Sequence, residues 1–167
     1  MTTQNKVESW EKRVVKVSRV SKVVKGGKKI SFRATVVVGD MENQVGVGVG
    51  KAEEVSTAIK KAETDAKKNV ITISIVNGKT IPHATTGIEC GSKVFIRPAV
   101  QGTGVIAGGS VRTVLELAGI KNILSKQLGS NNSLNNARAT ITALKSLDTL
   151  KQVMEKRKIS LEQILGK

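Results

Sequence analysis

The chain has 167 residues, with 28 Lys plus Arg against 13 Asp plus Glu, a formal net charge of +15, 39% hydrophobic residues and only three aromatics, Trp10, Phe32 and Phe95. This composition suits one ordinary or two small folded domains with a Val, Ile, Leu and Ala core, and its apolar runs fall far short of the roughly 20 residues that span a bilayer. The N-terminus lacks signal- or transit-peptide character and the lone Cys90 excludes an internal disulfide or cysteine cluster, so the expectation is an intracellular protein with a polyanionic partner.

From Arg13 to Val24, valines interleave with Lys, Arg and Ser, which reads as a strand with a bulge in its alternation. Lys25-Gly26-Gly27-Lys28 is a hairpin signal. Ile30, Phe32, Ala34, Val36 and Val38 then alternate with Lys29, Ser31, Arg33, Thr35 and Val37, predicting a strand with one core face and one polar, basic face. A turn over Gly39 to Asn43 follows. In the next strand Val45, Val47 and Val49 alternate with Gly46, Gly48 and Gly50, predicting a bare outer face, and such a run of glycines marks close approach of backbone or ligand. Ala52, Val55, Ile59, Ala62 and Ala66 form one helical stripe within 51–69, and Val70 to Val76 alternates again as a strand.

The stretch 77–92 contains Asn-Gly and Ile81-Pro82 and reads as a boundary between two units, or equally as a hairpin. Lys93 to Arg97 predicts a short strand ending at Pro98. After the glycine-rich segment 101–109, Ser110 is placed to cap a helix with Val111, Val114, Leu115 and Ala118 inward, ending near Gly119. A strand over 122–126, a turn over 129–132 and a helix with Leu134, Ala137, Ile141 and Leu144 inward complete the second unit. In the tail, the basic run Lys156-Arg157-Lys158 reads as a linker to a short helix. That helix is signalled by the capping box Ser160 with Gln163 and the staple pair Ile159 with Ile164. The expected domains are 11–76, a connecting segment 77–92, 93–148, and a tail 149–167.

The charge is concentrated. Between Lys12 and Arg33 there are nine basic residues and no acid, in 22 residues. An ordinary solvated face mixes signs, and a membrane-surface segment would carry more apolar bulk. Three scattered aromatics cannot stack single-stranded bases, a contact worth about 1–3 kcal/mol each, and no aromatic ribonucleoprotein strand is present. What remains is recognition of folded nucleic acid through phosphates and 2′-hydroxyls.

Catalytic signals are weak. Gly102-Thr103-Gly104-Val105-Ile106-Ala107 matches G-x-G-x-x-A, but its strand ends too early at Pro98, its helix starts too late, and positions 121 to 130 hold no acid. The loop reads either as glycines that permit tight packing or as a backbone nest for phosphate. Gly46 to Lys51 falls short of a phosphate-binding loop, with Val45 in place of glycine and Ala52 in place of Ser or Thr. His83 has no neighbouring acid or second histidine, and Cys90 reads as a packed or idle thiol. No enzyme, cofactor or metal is expected.

Several long motifs carry a specific resemblance. Arg19-Val-Ser-Lys-Val-Val-Lys-Gly-Gly-Lys28, Ser31-Phe-Arg-Ala-Thr-Val-Val-Val-Gly-Asp40, Val45-Gly-Val-Gly-Val-Gly-Lys-Ala52 and Ile81-Pro-His83 are similar to the small-subunit ribosomal protein S-five family. So are Gly102-Thr-Gly-Val-Ile-Ala-Gly-Gly109 with Arg112, Val114-Leu-Glu116, Ala118-Gly119, Gly129-Ser-Asn-Asn132 and Arg138-Ala-Thr140. The likeness covers about 10 to 148. Asn135-Asn136-Ala137-Arg138 and the Ser160-Leu-Glu-Gln163 tail resemble the cyanobacterial and plastid branch. Departures fall at Glu89-Cys90, where the family has small or glycine residues, and at Ser133, where proline is common and whose absence should loosen the helix start.

The resemblance implies an α+β fold: an N-terminal double-stranded-RNA-binding-domain-like antiparallel sheet with one helix, then a small C-terminal α/β domain with a left-handed βαβ crossover. It implies a structural role in the small ribosomal subunit, binding its rRNA, stabilising head against body and supporting decoding accuracy, beside proteins S-four and S-eight and the mRNA entry. The expected location is the ribosome small subunit, in a plastid stroma ahead of a bacterial cytoplasm. By motif match and charge, the expected rRNA-binding residues on the hairpin are Arg19, Ser21, Lys22, Lys25, Gly26, Gly27, Lys28, Lys29 and Arg33. Lys51, Gly102, Thr103, Gly108 and Gly109 join them, and Gly104 and Arg112 would lie at the S-four neighbour. The alternatives are a nucleic-acid-binding module outside the ribosome and, more distantly, a nucleotide-dependent enzyme using the 102–109 loop.

Overall fold

In the computed structural model, which describes residues 10–76 and 79–159, two four-stranded sheets share one core. The first is antiparallel, ordered β1 (Glu11–Val24), β2 (Gly27–Gly39), β3 (Gln44–Ala52) and β4 (Val70–Thr72), with helix α1 (Val55–Lys68) between its last two strands. The second is mixed, ordered β5 (Thr85–Glu89), β6 (Ser92–Pro98), β8 (Ile123–Gly129) and β7 (Val105–Ile106). Helix α2 (Gly109–Leu117) joins the parallel pair β7 and β8, and α3 (Ser133–Lys145) and α4 (Leu150–Arg157) follow. This is the expected α+β architecture.

The first sheet is covered on both sides, which corrects two expectations. Ala34, Val36 and Val38 pack on Ala58, Ala62 and Ala66 of α1, but Val37 on the opposite face is equally buried and joins the core of the second sheet. The polar, basic face of β2 therefore ends at Arg33. Likewise the glycine face of β3 is not an outer face. A β-carbon on Gly48 would stand 2.2 Å from the Ala66 nitrogen, and one on Gly50 2.2 Å from the Ala58 carbonyl oxygen. The absent side chains let α1 lie directly on the strand, while Val45 and Val47 turn to the second sheet. The same contact explains why the buried stripe of α1 runs through Ala58, Ala62 and Ala66 while Val55 is exposed: only the smallest side chains fit under a helix this close.

Three further elements differ from expectation, and the stretch 77–92 takes its hairpin alternative. β4 stops at Thr72 rather than Val76; the Ile73 N–H donates to the Asn43 carbonyl in the same register, one position beyond the last paired residues. Thr85–Glu89, within the expected connecting stretch, pair with β6 through a two-residue turn in which Cys90 (φ 45°) and Gly91 (φ 79°) are both left-handed. Gly108, not Ser110, caps α2, and Ser110 is buried. The basic run Lys156-Arg157 is the last turn of α4, whose capping box is Thr149 with Gln152; the Ser160 with Gln163 signal lies outside the described residues, as does Ile164. At α3 the Asn132 side chain accepts from the Leu134 N–H, so the helix begins at Ser133.

β1 is bulged between Val14 and Lys16, as its broken alternation predicts. Ahead of that bulge, consecutive residues of the strand are tied to different helices. Lys12 donates to Glu63 of α1 at 2.7 Å, and Glu63 also accepts from Lys67 at 2.9 Å. Arg13 donates to Glu116 of α2, which also accepts from Arg112 at 2.6 Å. These charged hydrogen bonds, from Lys12 foremost at Glu63 and from Arg112 foremost at Glu116, hold both carboxyls below the ordinary glutamate range. At Asp40, partial burial pushes the pKa up, but the backbone N–H groups of Gln44, Asn43 and Glu42 together outweigh it and lower the value.

Two substitutions test this packing by urea unfolding. Gly48→Ala should cost about 3 kcal/mol, the scale of an overpacked core, and a neutral result would mean that α1 sits farther from β3. Cys90→Gly should stabilise by about 0.5–1 kcal/mol, since glycine relieves a left-handed backbone. The three lowered carboxyls stabilise fully above the ordinary carboxylate range and lose that contribution as pH falls through their lowered values. Stability should therefore hold from about pH 7 down to about pH 5 and decline below it, less steeply in Glu116→Gln; an unchanged slope in that variant would remove Glu116 as a source.

Candidate nucleic-acid interface

β3 pairs with β2 only from Phe32 to Gly39, so beyond that point β1 and β2 continue alone as a two-stranded ribbon. Val20 pairs with Ser31, Lys22 with Lys29 and Val24 with Gly27, and Lys25 and Gly26 turn the chain at the tip. Gly27 has φ 138°, a conformation few other residues adopt. Every residue from Ser21 to Ile30 is exposed, so the ribbon projects from the body without a core of its own.

Residue alternation sorts its charges. The face away from α1 carries Lys16, Lys22, Lys29 and Arg33, with Lys51 directly opposite Arg33 on β3. The other face carries Arg19 opposite Phe32 and Lys28 opposite Val23. Like charges set directly across a ladder are destabilising, yet Lys22 faces Lys29 and Arg33 faces Lys51. Among the described residues, ion pairs from the 12–33 segment reach acids only through Lys12, Arg13 and Lys29, the last to Glu53 at 3.1 Å. Lys16, Arg19, Lys22, Lys25, Lys28 and Arg33 have no acidic partner there. Two of the nine cations thus clamp the root of the ribbon to the two helices, and six present uncompensated charge, Lys16, Arg19 and Arg33 at its root and Lys22, Lys25 and Lys28 along it. Ser21 stands among them, opposite Ile30.

The remaining expected residues lie in the second unit. Gly102 (φ 96°) and Gly104 (φ 75°) need left-handed backbone, and a β-carbon on either would meet open space. Their N–H groups donate to the Asn122 side-chain oxygen at 3.0 and 3.2 Å, and the Thr103 N–H donates to the Val100 carbonyl. These donors are turned into the protein, which removes the backbone-nest reading at 102–104; the tight-packing reading also fails at Gly102 and Gly104, whose glycines serve backbone conformation. Gly108 differs, since a β-carbon there would stand 2.6 Å from the Gln127 side chain. Gly108 and Gly109 open α2, where the leading N–H groups have no preceding carbonyl within the helix to bond. This helix start adjoins β1: a cleft of about 390 Å³ is lined by Val14 and Val15 on one side and Gly109, Ser110, Thr113 and Gln127 on the other. Gly109 thus lies beside the root of the ribbon, whereas Arg112 is engaged with Glu116.

Sequence reasoning missed a second basic site. A cleft of about 470 Å³ between the two units is lined by Lys68, Arg138 and Lys145, with Glu89 the acid among its lining residues. These cations come from the end of α1 and from α3, and no spacing in the chain links them. Elsewhere, His83 accepts from the Asp148 N–H at 3.1 Å through Nε2, Cys90 is exposed, and no group of three metal-ligating side chains occurs among the described residues. No described helix is long and apolar enough to cross a membrane.

Known proteins match this sequence along nearly its whole length. The family models for "Ribosomal protein S5, N-terminal domain" and "Ribosomal protein S5, C-terminal domain" match residues 10–74 and 87–157. "Small ribosomal subunit protein uS5" of Trichormus variabilis is 58% identical over 162 residues, covering 97% of this chain and 93% of that protein. The protein of the same name from Synechocystis is 58% identical over 165 residues, covering 98% and 95%, and that from Nostoc punctiforme is 59% identical over 156 residues, covering 93% and 89%. Such relatives are structural ribosomal proteins rather than enzymes. With both halves matched by the two domain models and whole-length identity near three-fifths, this chain belongs to the ribosomal protein S5 family.

Proposed function

We propose that the chain is a structural constituent of the small ribosomal subunit, binding folded small-subunit rRNA through phosphates with the β1–β2 ribbon as its electrostatic anchor. The observation that carries the reading is the set of six cations without acidic partners among the described residues, Lys16, Arg19 and Arg33 at the root of the ribbon and Lys22, Lys25 and Lys28 along a two-stranded projection that burial alone would not favour. Family membership supports the ribosomal setting. In this reading Arg19, Ser21, Lys22, Lys25, Gly26, Gly27, Lys28, Lys29, Arg33 and Lys51 meet RNA on the ribbon and at its root. Gly108 and Gly109 contribute the start of α2 beside its root, with Gly102 and Thr103 adding shape rather than inward-turned N–H groups. Gly104 and Arg112 face protein S-four, with S-eight and the mRNA entry nearby, and the assembled contact stabilises head against body and supports decoding accuracy. The plastid stroma is the favoured compartment, on the likeness to the cyanobacterial and plastid branch, with a bacterial cytoplasm as its counterpart.

Binding to small-subunit rRNA fragments against salt concentration tests this directly. Affinity should fall steeply as salt rises, and replacing Lys22, Lys25 and Lys28 together with Ala should flatten the log–log slope by about two to three, near one unit for each phosphate left without its lysine. An unchanged slope would move the anchor off the ribbon. Equal affinity for random duplex RNA would favour a nucleic-acid-binding role outside the ribosome.

A further inference from the structure

The cleft of about 470 Å³ between the two units lies at the edge of the first sheet opposite β1, where α1 ends and β4 begins. Helix α3 contributes one stripe to it, Arg138, Ile141, Thr142 and Lys145, which share a helix face at i, i+3, i+4 and i+7. Lys68 and Asn69 come from the end of α1 and Ile71 from β4. The apolar lining is held firmly, since Val47 belongs to the core common to both sheets and Ile71 and Ile141 pack against it.

Among the described residues, no ion pair joins Lys68, Arg138 or Lys145 to an acid, although Glu89 lines the same cleft. Lys68 and Lys145 close their helices, where the carbonyl end of the dipole favours a cation in its own right. Arg138 has no such explanation. It stands in the second turn of α3, towards the positive end of that helix, and α3 itself carries no acid. Three cations gathered at a concave site with apolar lining attract an anion, and the volume falls in the range of about 300–1,000 Å³ that small ligands occupy.

The lining also says which anion. An RNA backbone spreads its charge along a strand, one per nucleotide, and its bases would have to leave their stack to reach Ile71 and Ile141. A diphosphate concentrates several charges at one end of a ligand, which suits three cations converging from two elements. Glu89 repels phosphate but accepts hydrogen bonds from hydroxyls, as acids beside a ribose do. A ligand with a polyanionic end, a hydroxyl-bearing middle and an apolar, planar end satisfies all of these groups together.

We infer that the cleft between α1, β4 and α3 binds a free nucleoside diphosphate, its phosphates on Lys68, Arg138 and Lys145, its ribose hydroxyls on Glu89 and its base against Ile71 and Ile141. The site shares no residue with the ribbon and operates in the isolated chain.

Calorimetric titration of the full chain, freed of nucleic acid, with ADP and with GDP tests this. At least one of the two should bind saturably with one site per chain. The corresponding monophosphate and inorganic pyrophosphate should each bind about tenfold more weakly or worse, the one lacking a phosphate and the other the nucleoside. Arg138→Gln and Lys145→Gln, at exposed positions, should each weaken diphosphate binding about tenfold, the loss of one charge-assisted contact, while keeping the wild-type urea midpoint. Replacing Lys22, Lys25 and Lys28 together with Ala should leave the affinity unchanged. Absence of saturable binding by both nucleotides would overturn the inference. So would pyrophosphate binding as tightly as the nucleotide, which marks a bare anion site, or an equal loss in the ribbon variant, which marks diffuse attraction. Displacement of the nucleotide by hexauridylate at lower concentration than by ADP or GDP would give the cleft to an RNA backbone and overturn it as well.

Discussion

Helix α1 rests on β3 with no room for a β-carbon at Gly46, Gly48 or Gly50, and the rest of the architecture depends on that approach. Because the glycine face takes the helix, the valine face is left to seek another partner, and it finds the core of the second sheet. The two units are thereby joined through Val37, Val45 and Val47 and held in register by backbone contacts at the rim. Met41 donates to the Leu117 carbonyl at 3.0 Å, and a β-carbon on Gly39 would stand 2.2 Å from that same oxygen. Alanine is the side chain this geometry selects on the helix, so much of the stabilisation comes from close packing of small groups and little from large side chains.

The clamp at the root of the ribbon follows from the same sandwich. With α1 on one face of the sheet and α2 on the other, consecutive residues of β1 reach opposite helices, Lys12 to Glu63 and Arg13 to Glu116. Surface ion pairs contribute little to stability individually, about 0–1 kcal/mol; their effect here is directional. They fix the angle at which the ribbon leaves the body, and they remove from the projecting charge the two cations nearest the core.

Much of this is legible in the chain. Alternation locates β1, β2 and β3, short strands are legible at 93–97 and 122–126, the acid-free run from Lys12 to Arg33 locates the ribbon, and the motifs locate the family. Alternation states that a strand has two faces but not which neighbour each face meets, so β3 reads inside out and Val37 falls on a face expected to be polar. The helical stripe passes through Val55 on sequence grounds because larger apolar residues dominate a periodicity, whereas the contact requires Ala58. Asn122 carries no periodic signal, and its role in folding the 102–104 loop emerges only when the chain leading into β8 returns beside that loop. The cleft between Lys68, Arg138 and Lys145 is likewise a product of packing, since its cations are distant in the chain.

One consequence of the ribbon concerns motion. Its distal half is held by a single ladder between two strands, without a third strand or a packed face, and Lys22 repels Lys29 across that ladder. Residues Val36 to Val38, a few positions along the same strand, are fully buried. Local opening of the tip is therefore cheap while opening of the base requires global unfolding, so amide exchange along β2 should run through a steep gradient within a single strand. A polyanion that neutralises the opposed lysines would flatten that gradient from the tip inward, making the free and bound proteins differ mainly in how far order extends along one hairpin.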